Sequence, residues 1–507
     1  MDSGTAFDLL IVGGGINGAG IARDAAGRGL RVLLTEQAGL AQFTSSASTK
    51  LIHGGLRYLE YVQLRLVREA LRERERLLSI APHLVTRAQF VLPYQHQLRP
   101  AWLLRLGLLA YDALAPSSSL APSRSVRFAT SGLGEPLQPG LVKGFTYADC
   151  TVDDSRLVIL NVRDAFERGA DIRVGHRLLR AERSGAQWRA EILEIATGRS
   201  YAVEARVLVN AAGPWIGEVL NRRLGGRSER RVRLVKGSHI VVPRMYAGEQ
   251  AYVLQNPDRR IVFVIPYQEQ FTLIGTTDVE WPGEPCAVSI SVPETEYLCR
   301  TVNGYFKRPI APNDVVWSYA GIRSLCGDAG SKASELTRDY SLELEAQPAE
   351  APVLTVFGGK ITTYRALAEQ AMRKLAAFLP GLPGPWTAGR PLPGGDFPDG
   401  GVAAFLLQAQ RRWPFLPPAQ LGRLVHAYGT RLARLLDGVA TLDAMGEDFG
   451  GGLSRIEVDH LLREEWACGT DDLYWRHTKT GLHASAADQQ RLAAYLRGTL
   501  PTVAGIT

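Results

Sequence analysis

The segment Gly13-Gly14-Gly15-Ile16-Asn17-Gly18 has the spacing of a phosphate-binding turn. It follows an apolar run at residues 7–12 that reads as a buried strand, and it opens a helical pattern over residues 16–26 closed by Gly27 and Gly29. Gly13 allows the tight turn out of the strand, Gly15 lets a diphosphate approach the backbone, and Gly18 lets helix and strand pack closely. The free N–H groups and positive dipole end of the helix then face the anion. Glu36 ends a second strand at residues 30–35, where a carboxylate accepts hydrogen bonds from ribose hydroxyls and disfavours a 2′-phosphate. Strand, glycines, helix, strand and acid in one short unit specify a dinucleotide site, with Asn17 inside the turn counted among its contacts.

Cations and proton acceptors form a second set. Arg57 ends HGGLRY, Arg323 follows WSYAGI, and Lys360 follows the glycine pair of FGGK. A guanidinium offers a planar fork for bidentate phosphate contact, and an ammonium offers a point charge. On the residues alone, Arg57 also reads as a helix-surface arginine in a row with Arg65, Arg68 and Arg72, Arg323 as a loop arginine, and Lys360 as a surface lysine. Tyr58 either donates a hydrogen bond to the same anion or packs in the core. His239, in the alternating pattern KGSHIVV, is the first candidate for a general base because its ordinary pKa lies near neutrality. A satisfied core histidine is the competing reading. His53 is the second candidate, and Thr277 and Asp278 are expected to support the site. Arg323 stays protonated and is the poorer base.

A third set would hold a flat ring. Thr44, Ser45, Ser46, Ser48 and Thr49, followed by Lys50 and Leu51, are mostly small hydroxyl residues that let backbone approach closely. Far downstream, an apolar strand at 353–357, the pair Gly358-Gly359 and a helix start at Lys360, Ile361 and Thr362 bring further N–H groups to a ligand. A site assembled from both places suits FAD, a long dinucleotide held from both ends.

The elements that must position these residues read as an α/β chain. A Rossmann-type FAD-binding domain is expected over 1–95, 140–230 and 351–392. A substrate domain with a mixed sheet is expected over 231–350, where VRLVKGSHIVVP, IVFVIPY and FTLIGTTDV alternate like strands. Residues 57–79 and 156–169 have helical period. Residues 98–116, with Trp102, leucines, Arg99 and Arg105, suit a helix lying at a lipid interface or buried in the core, so 96–139 is read as a membrane-contact insertion. Residues 380–400, rich in proline and glycine, read as a linker to a helical C-terminal domain at 393–507.

Composition excludes several classes. The net charge of +7 favours anionic partners, yet no zinc-ligand spacing, basic tail or RNA-binding signature points to nucleic acid. Five scattered cysteines without CxxC argue for a reducing compartment and against a disulfide framework or metal site. The N-terminal residues have the pattern of neither a signal nor a transit peptide, and no apolar run reaches the roughly 20 residues of a membrane span.

TSSASTKLIHGGLRYLEY (44–61), NAAGPW (210–215), KGSHIVVP (236–243), VFVIPY with IGTTDVE (262–280), VFGGKITTYR (356–365) and GEDFG (446–450) occur in order. Together they resemble the FAD-dependent glycerol-3-phosphate dehydrogenases, over nearly the whole chain. That family is similar in fold to glycine oxidase and D-amino-acid oxidase. The resemblance implies oxidation of sn-glycerol 3-phosphate to dihydroxyacetone phosphate by hydride transfer from C2 to flavin N5, with electrons passed to ubiquinone or menaquinone. An oxygen-using oxidase and a non-enzymatic FAD-binding redox sensor are the alternatives. It implies Arg57, Tyr58, Thr277, Arg323 and Lys360 for substrate, His239, Arg323 and Lys360 for the chemistry, and Gly213 with Gly359, Lys360, Ile361 and Thr362 for FAD. One departure is Ser324, where proline is expected after the arginine. The resemblance also implies a cytoplasmic homodimer attached peripherally to the inner face of the cell membrane.

Overall fold

The computed structural model describes residues 6–115, 118–225, 232–286, 288–326 and 339–499. β1 (Phe7–Val12) is buried from its second residue onward, which is why it reads as a continuous apolar run rather than an alternating one. The chain then forms α1 (Ile16–Gly27), β2 (Val32–Glu36), β3 (Leu51–Ile52), α2 (Leu64–Ile80), β4 (Val85–Pro93), α3 (Ala101–Ala113), β5 (Arg124–Arg127) and β6 (Lys143–Val152). α4 (Asp154–Glu167), β7 (Asp171–Val174), β8 (His176–Ser184), β9 (Gln187–Glu194) and β10 (Arg199–Asn210) follow. The second half supplies β11 (Val232–Pro243), β12 (Ala251–Gln255), β13 (Ile261–Tyr267), β14 (Phe271–Gly275), β15 (Val279–Glu280), β16 (Trp317–Cys326), β17 (Ser341–Glu345) and β18 (Val353–Phe357).

Among the described residues these strands make two sheets. The first runs β17-β18-β10-β1-β2-β7, with the β8–β9 hairpin continuing from β10. β1 lies at its centre and pairs in parallel with β2 and β10 (Leu9↔Val32, Leu9↔Val207). The glycine turn therefore leaves the middle of a parallel sheet at its carboxyl edge, where open α/β sheets bind ligands. α1 and α4 pack over it, joined by a buried ion pair of Arg23 and Asp164 at 2.6 Å.

The second sheet runs β15-β11-β14-β13-β12-β4-β6-β3, with β16 on β11 and β5 on β6. β4 and β6 belong to stretches expected with the dinucleotide domain, yet they lie in this second sheet. They pair with each other from Val85↔Val152 to Pro93↔Gly144, and β12 then docks in parallel on β4. Strand pattern alone does not say which of two sheets adopts an edge.

The helix expected from residue 57 begins at Leu64. Leu56–Tyr61 is a 3-10 turn, and Val62 at φ +55° reverses the chain before α2. Residues 380–400 carry little regular structure, but they are anchored. The Trp386 indole donates to Asp24 O at 3.0 Å, Arg23 donates to Arg390 O at 2.9 Å, and Leu392 N donates to Ile80 O at 2.8 Å with its side chain buried. Proline and glycine removed helix and strand here without removing contacts. Beyond them the helices Gly401–Arg412, Pro418–Tyr428, Arg455–Glu464 and Ala486–Thr499 surround their own core of Trp413, Leu424, Phe449, Leu461 and Tyr474. No helix among the described residues is long and apolar enough to cross a membrane.

Candidate active site

A continuous cavity runs from the glycine turn, past residues 43–51, to the start of the segment at 358–362. Gly13 has φ +111°, and a Cβ there would stand 2.6 Å from Ala211 O. A Cβ on Gly18 would stand 1.9 Å from Gly13 O. Only glycine closes this turn. α1 carries no acid in its own first turn, so no carboxylate of the helix itself competes with a bound anion for the N-terminal dipole. Ser45 Oγ accepts from Ile16 N at 3.0 Å and so ties the hydroxyl-rich segment to the helix start.

Glu36 sits at the end of β2, as its spacing predicts. Its carboxylate accepts from Gly14 N at 2.7 Å and Ala38 N at 2.8 Å. Burial pushes its pKa up against the pull of those donors. At the other end, Asn17 Nδ2 donates to Gly358 O at 3.0 Å, joining the two halves of the split site. Asn17 Oδ1 is buried with no partner in the protein, and Asn17 is one of the residues lining the cavity. A buried acceptor left over beside a turn that no side chain can enter fits a diphosphate-bearing ligand with hydroxyls nearby.

The expected residues are placed unequally. Gly13, Gly15, Asn17, Glu36, Thr44, Ser45, Ser48, Leu51, Gly213, Gly359, Lys360, Ile361 and Thr362 all line the cavity. Gly18, Ser46 and Lys50 stand behind its wall. Gly18 serves the turn, and the Lys50 ammonium donates to Ser46 O at 3.0 Å and to both oxygens of Asp154 at 2.9 and 3.0 Å. Arg323, Tyr58 and Lys360 reach the same cavity. Arg323 pairs with Asp278 and donates to Thr276 Oγ1 at 2.8 Å, which fixes the direction of its fork. The Lys360 ammonium stands 3.6 Å over the Tyr58 ring. The side chain of Arg57 lies outside the described residues.

Thr277 is buried away from the cavity. Its hydroxyl donates to Glu294 Oε1 at 2.8 Å and accepts from Ser238 N at 3.0 Å. His239 is also fully buried and does not itself line the cavity, although its strand was expected to aim it there. Its Nε2 is 3.0 Å from Thr49 Oγ1, and its ring stacks on Tyr319 at 4.7 Å. Burial, then Arg323 and Lys50, hold its pKa well below the ordinary histidine value. A strand pattern identifies the inward face, but not which residue stands between a side chain and the void. His53 lines the cavity directly, with its backbone N–H donating to Thr362 Oγ1 at 3.3 Å.

The cavity has further walls that the motifs do not mark. Phe43 and Trp215 meet with ring centroids 4.5 Å apart, and His176, Arg177 and Arg223 border the end near Glu36. Trp215 belongs to NAAGPW. The β8 residues carry no local signal, because they arrive by sheet topology.

The FAD dependent oxidoreductase family (DAO) matches residues 8–365. The chain is 50% identical over 495 residues to a glycerol-3-phosphate dehydrogenase of Pseudomonas aeruginosa, with 98% of this chain and 96% of that protein covered. It is 45% identical over 489 residues to the aerobic glycerol-3-phosphate dehydrogenase of Escherichia coli K12 (96% and 97% covered). It is 44% identical over 482 residues to the D-erythritol 1-phosphate dehydrogenase of Brucella abortus (95% and 96% covered). In fold it is similar to the glycerol-3-phosphate dehydrogenase of Bacillus halodurans solved with FAD, with TM-score 0.73, 23% identity, and 97% of this chain and 94% of that one covered. It is also similar to glycine oxidase of Geobacillus kaustophilus, with TM-score 0.54, 19% identity, and 74% and 98% covered. A glycine turn closed to any side chain, an acid at the end of β2 beside it, a second glycine pair joined to the first by Asn17, and a family match across both halves of that site lead to one statement: the chain belongs to the FAD-dependent oxidoreductases of the DAO family.

Proposed function

We propose that this protein oxidises sn-glycerol 3-phosphate to dihydroxyacetone phosphate and passes the electrons to a membrane quinone, ubiquinone or menaquinone. The observation that carries this reading is the set Arg323, Lys360 and Tyr58 on the wall of the FAD cavity. Two cations and a phenol beside a flavin site suit a small phosphorylated alcohol. FAD, when bound, supplies the hydride acceptor. Arg323, held by Asp278 and Thr276, presents its guanidinium on the cavity wall to phosphate or to the C2 oxygen. Lys360 adds charge at the phosphate end, and Tyr58 limits its swing. His53, on the wall, is better placed than His239 to accept the C2 hydroxyl proton, because His239 meets the cavity only through the Thr49 hydroxyl. Fixing the alcohol in one pose is the larger share of the catalysis asked of the protein.

α3 supports the membrane part of the reading. Trp102, Leu106 and Leu109 are 67%, 56% and 47% exposed on successive turns, and Val62 and Leu64, at the turn into α2, are exposed as well. Leu108 and Tyr111 on the opposite face are buried. Such a face suits contact with the inner surface of the cell membrane, where a quinone dissolves.

Anaerobic mixing of the FAD-loaded protein with glycerol 3-phosphate tests the reading. Bleaching of the flavin absorbance, with re-oxidation faster by a soluble quinone than by air, is expected. D-erythritol 1-phosphate serves as the competing alcohol. No bleaching by either phosphate would overturn the proposal, bleaching by the longer one alone would reassign the substrate, and faster re-oxidation by air would make it an oxidase.

A further inference from the structure

We propose that the C-terminal helical domain positions the flavin pocket, with Lys479 as the positioning residue that braces the loop at Ser48–Lys50. The inference rests on the FAD site and not on the identity of the alcohol.

Lys479 is 2% exposed and holds a left-handed backbone at φ +62°. A buried ammonium on backbone that non-glycine residues rarely adopt persists only where contacts over-determine it. Its contacts lie across the domain boundary. Nζ donates to Asp153 Oδ1 at 3.0 Å and to Ser155 Oγ, besides Arg476 O at 3.1 Å in its own domain. Asp153 is the N-cap of α4, and the Ser155 hydroxyl donates back to Arg476 O at 2.6 Å. Asp154, between them, is fully buried and grips the cavity loop, accepting from the Lys50 ammonium and from Ser48 Oγ at 2.7 Å.

A second arm leaves the same C-terminal segment. Trp475 stacks on Trp317 with centroids 4.4 Å apart and planes at 11°. Trp317 packs on Tyr319 at 5.0 Å, and Tyr319 stacks on His239. The Tyr319 hydroxyl donates to Ser48 O at 2.8 Å. Both arms thus end on Ser48, which lines the cavity beside Thr49, the hydroxyl partner of His239. Burial alone would raise the Asp153 pKa, but Lys479 and the Arg156 N–H outweigh it and hold the carboxylate ionised. Without the Lys479 charge, the part-exposed Asp153 carboxylate would lose its ammonium partner and compete for Lys50, drawing it away from Asp154 and Ser46.

The test uses full-length protein. Lys479→Met keeps the reach and removes the charge, and Lys479→Arg keeps the charge. Far-UV circular dichroism and melting report the fold. Titration of apoprotein with FAD gives affinity, and visible circular dichroism reports the surroundings of the bound flavin. Folded Lys479→Met is expected to bind FAD about tenfold more weakly, the loss of one charge-assisted contact, and to alter the visible dichroism, with Lys479→Arg restoring both. Should Lys479→Met not fold, Trp475→Leu is the second variant, expected to change the flavin dichroism with secondary structure intact. Wild-type affinity and dichroism in the folded variant overturn the proposal, as does failure of arginine to restore what methionine loses.

Discussion

Gly18→Ala places one methyl group where the structure has no room. The new Cβ would stand 1.9 Å from Gly13 O and 3.5 Å from Ile11 Cγ2. Ordinary contact lies near 3.5 Å, so the turn must retreat by more than about 1 Å. It cannot retreat toward β10, because the Cβ position of Gly13 is already 2.6 Å from Ala211 O. Relaxation therefore goes into the cavity, into the space of the diphosphate. Overpacking of this kind costs about 1–3 kcal/mol. Charged to the bound state, that weakens FAD about 5- to 150-fold. The assay is fluorescence titration of apoprotein with FAD, with melting of apo and loaded forms alongside. Gly107→Ala on α3 is the control: nothing lies within 4 Å of its Cβ position, and helix propensity predicts a gain of about 0.5–1 kcal/mol. FAD affinity of Gly18→Ala within about twofold of wild type would refute the close approach on which the site is built.

Three further outcomes follow from the geometry. Arg323→Ala should keep FAD and raise KM for glycerol 3-phosphate at least about tenfold, since a partly buried charge contact is worth more than 1.4 kcal/mol; unchanged steady-state kinetics would remove Arg323 from the substrate. Asp149 accepts from Arg74 and Tyr111 at 2.7 Å each, and burial pushes its pKa up to about 6 against the pull of Arg74. Because that folded value lies above the ordinary 3.8, its contribution to stability is complete below pH 4 and is lost as pH rises through 6. The stability of wild type relative to Asp149→Asn should therefore fall between pH 4 and 6 by at most about 3 kcal/mol, and a constant difference in denaturant midpoints across that range would contradict it. Leu106→Asp on the outer face of α3 should reduce sedimentation with anionic lipid vesicles while leaving FAD content unchanged; equal vesicle binding would move the lipid contact elsewhere.

The dinucleotide half of the site was legible because its parts are close in the chain. Gly13, Gly15, Gly18 and Glu36 act through fixed local spacing, and Gly358-Gly359 repeats the same logic downstream. The substrate half depends on register. His239 faces Tyr319 across β11 and β16, and nothing in KGSHIVV indicates that Thr49 stands between the imidazole and the void. Thr277 shows the same gap, since its partner Glu294 comes from a separate helix, Val292–Asn303. The α/β class and the helical C-terminal region followed from hydrophobic period, whereas the assignment of β4 and β6 to the second sheet required knowing which edges meet. The interdomain contacts of Lys479 span more than 300 residues, a distance at which a single sequence carries no pattern.

The anchoring of residues 380–400 sets how the two ends of the protein can move. Trp386 fills the space over Gly27, where a Cβ would fall 2.0 Å from its ring. Leu392 is fastened to the end of α2, and Gly394 packs against Gly429 with no room for a side chain on either. A chain pinned at three points along its length has no slack to pay out. The helical end is therefore moored to the nucleotide-binding end rather than tethered to it. Insertions or protease sites grafted at 386–395 should be tolerated far less well than the proline and glycine content suggests.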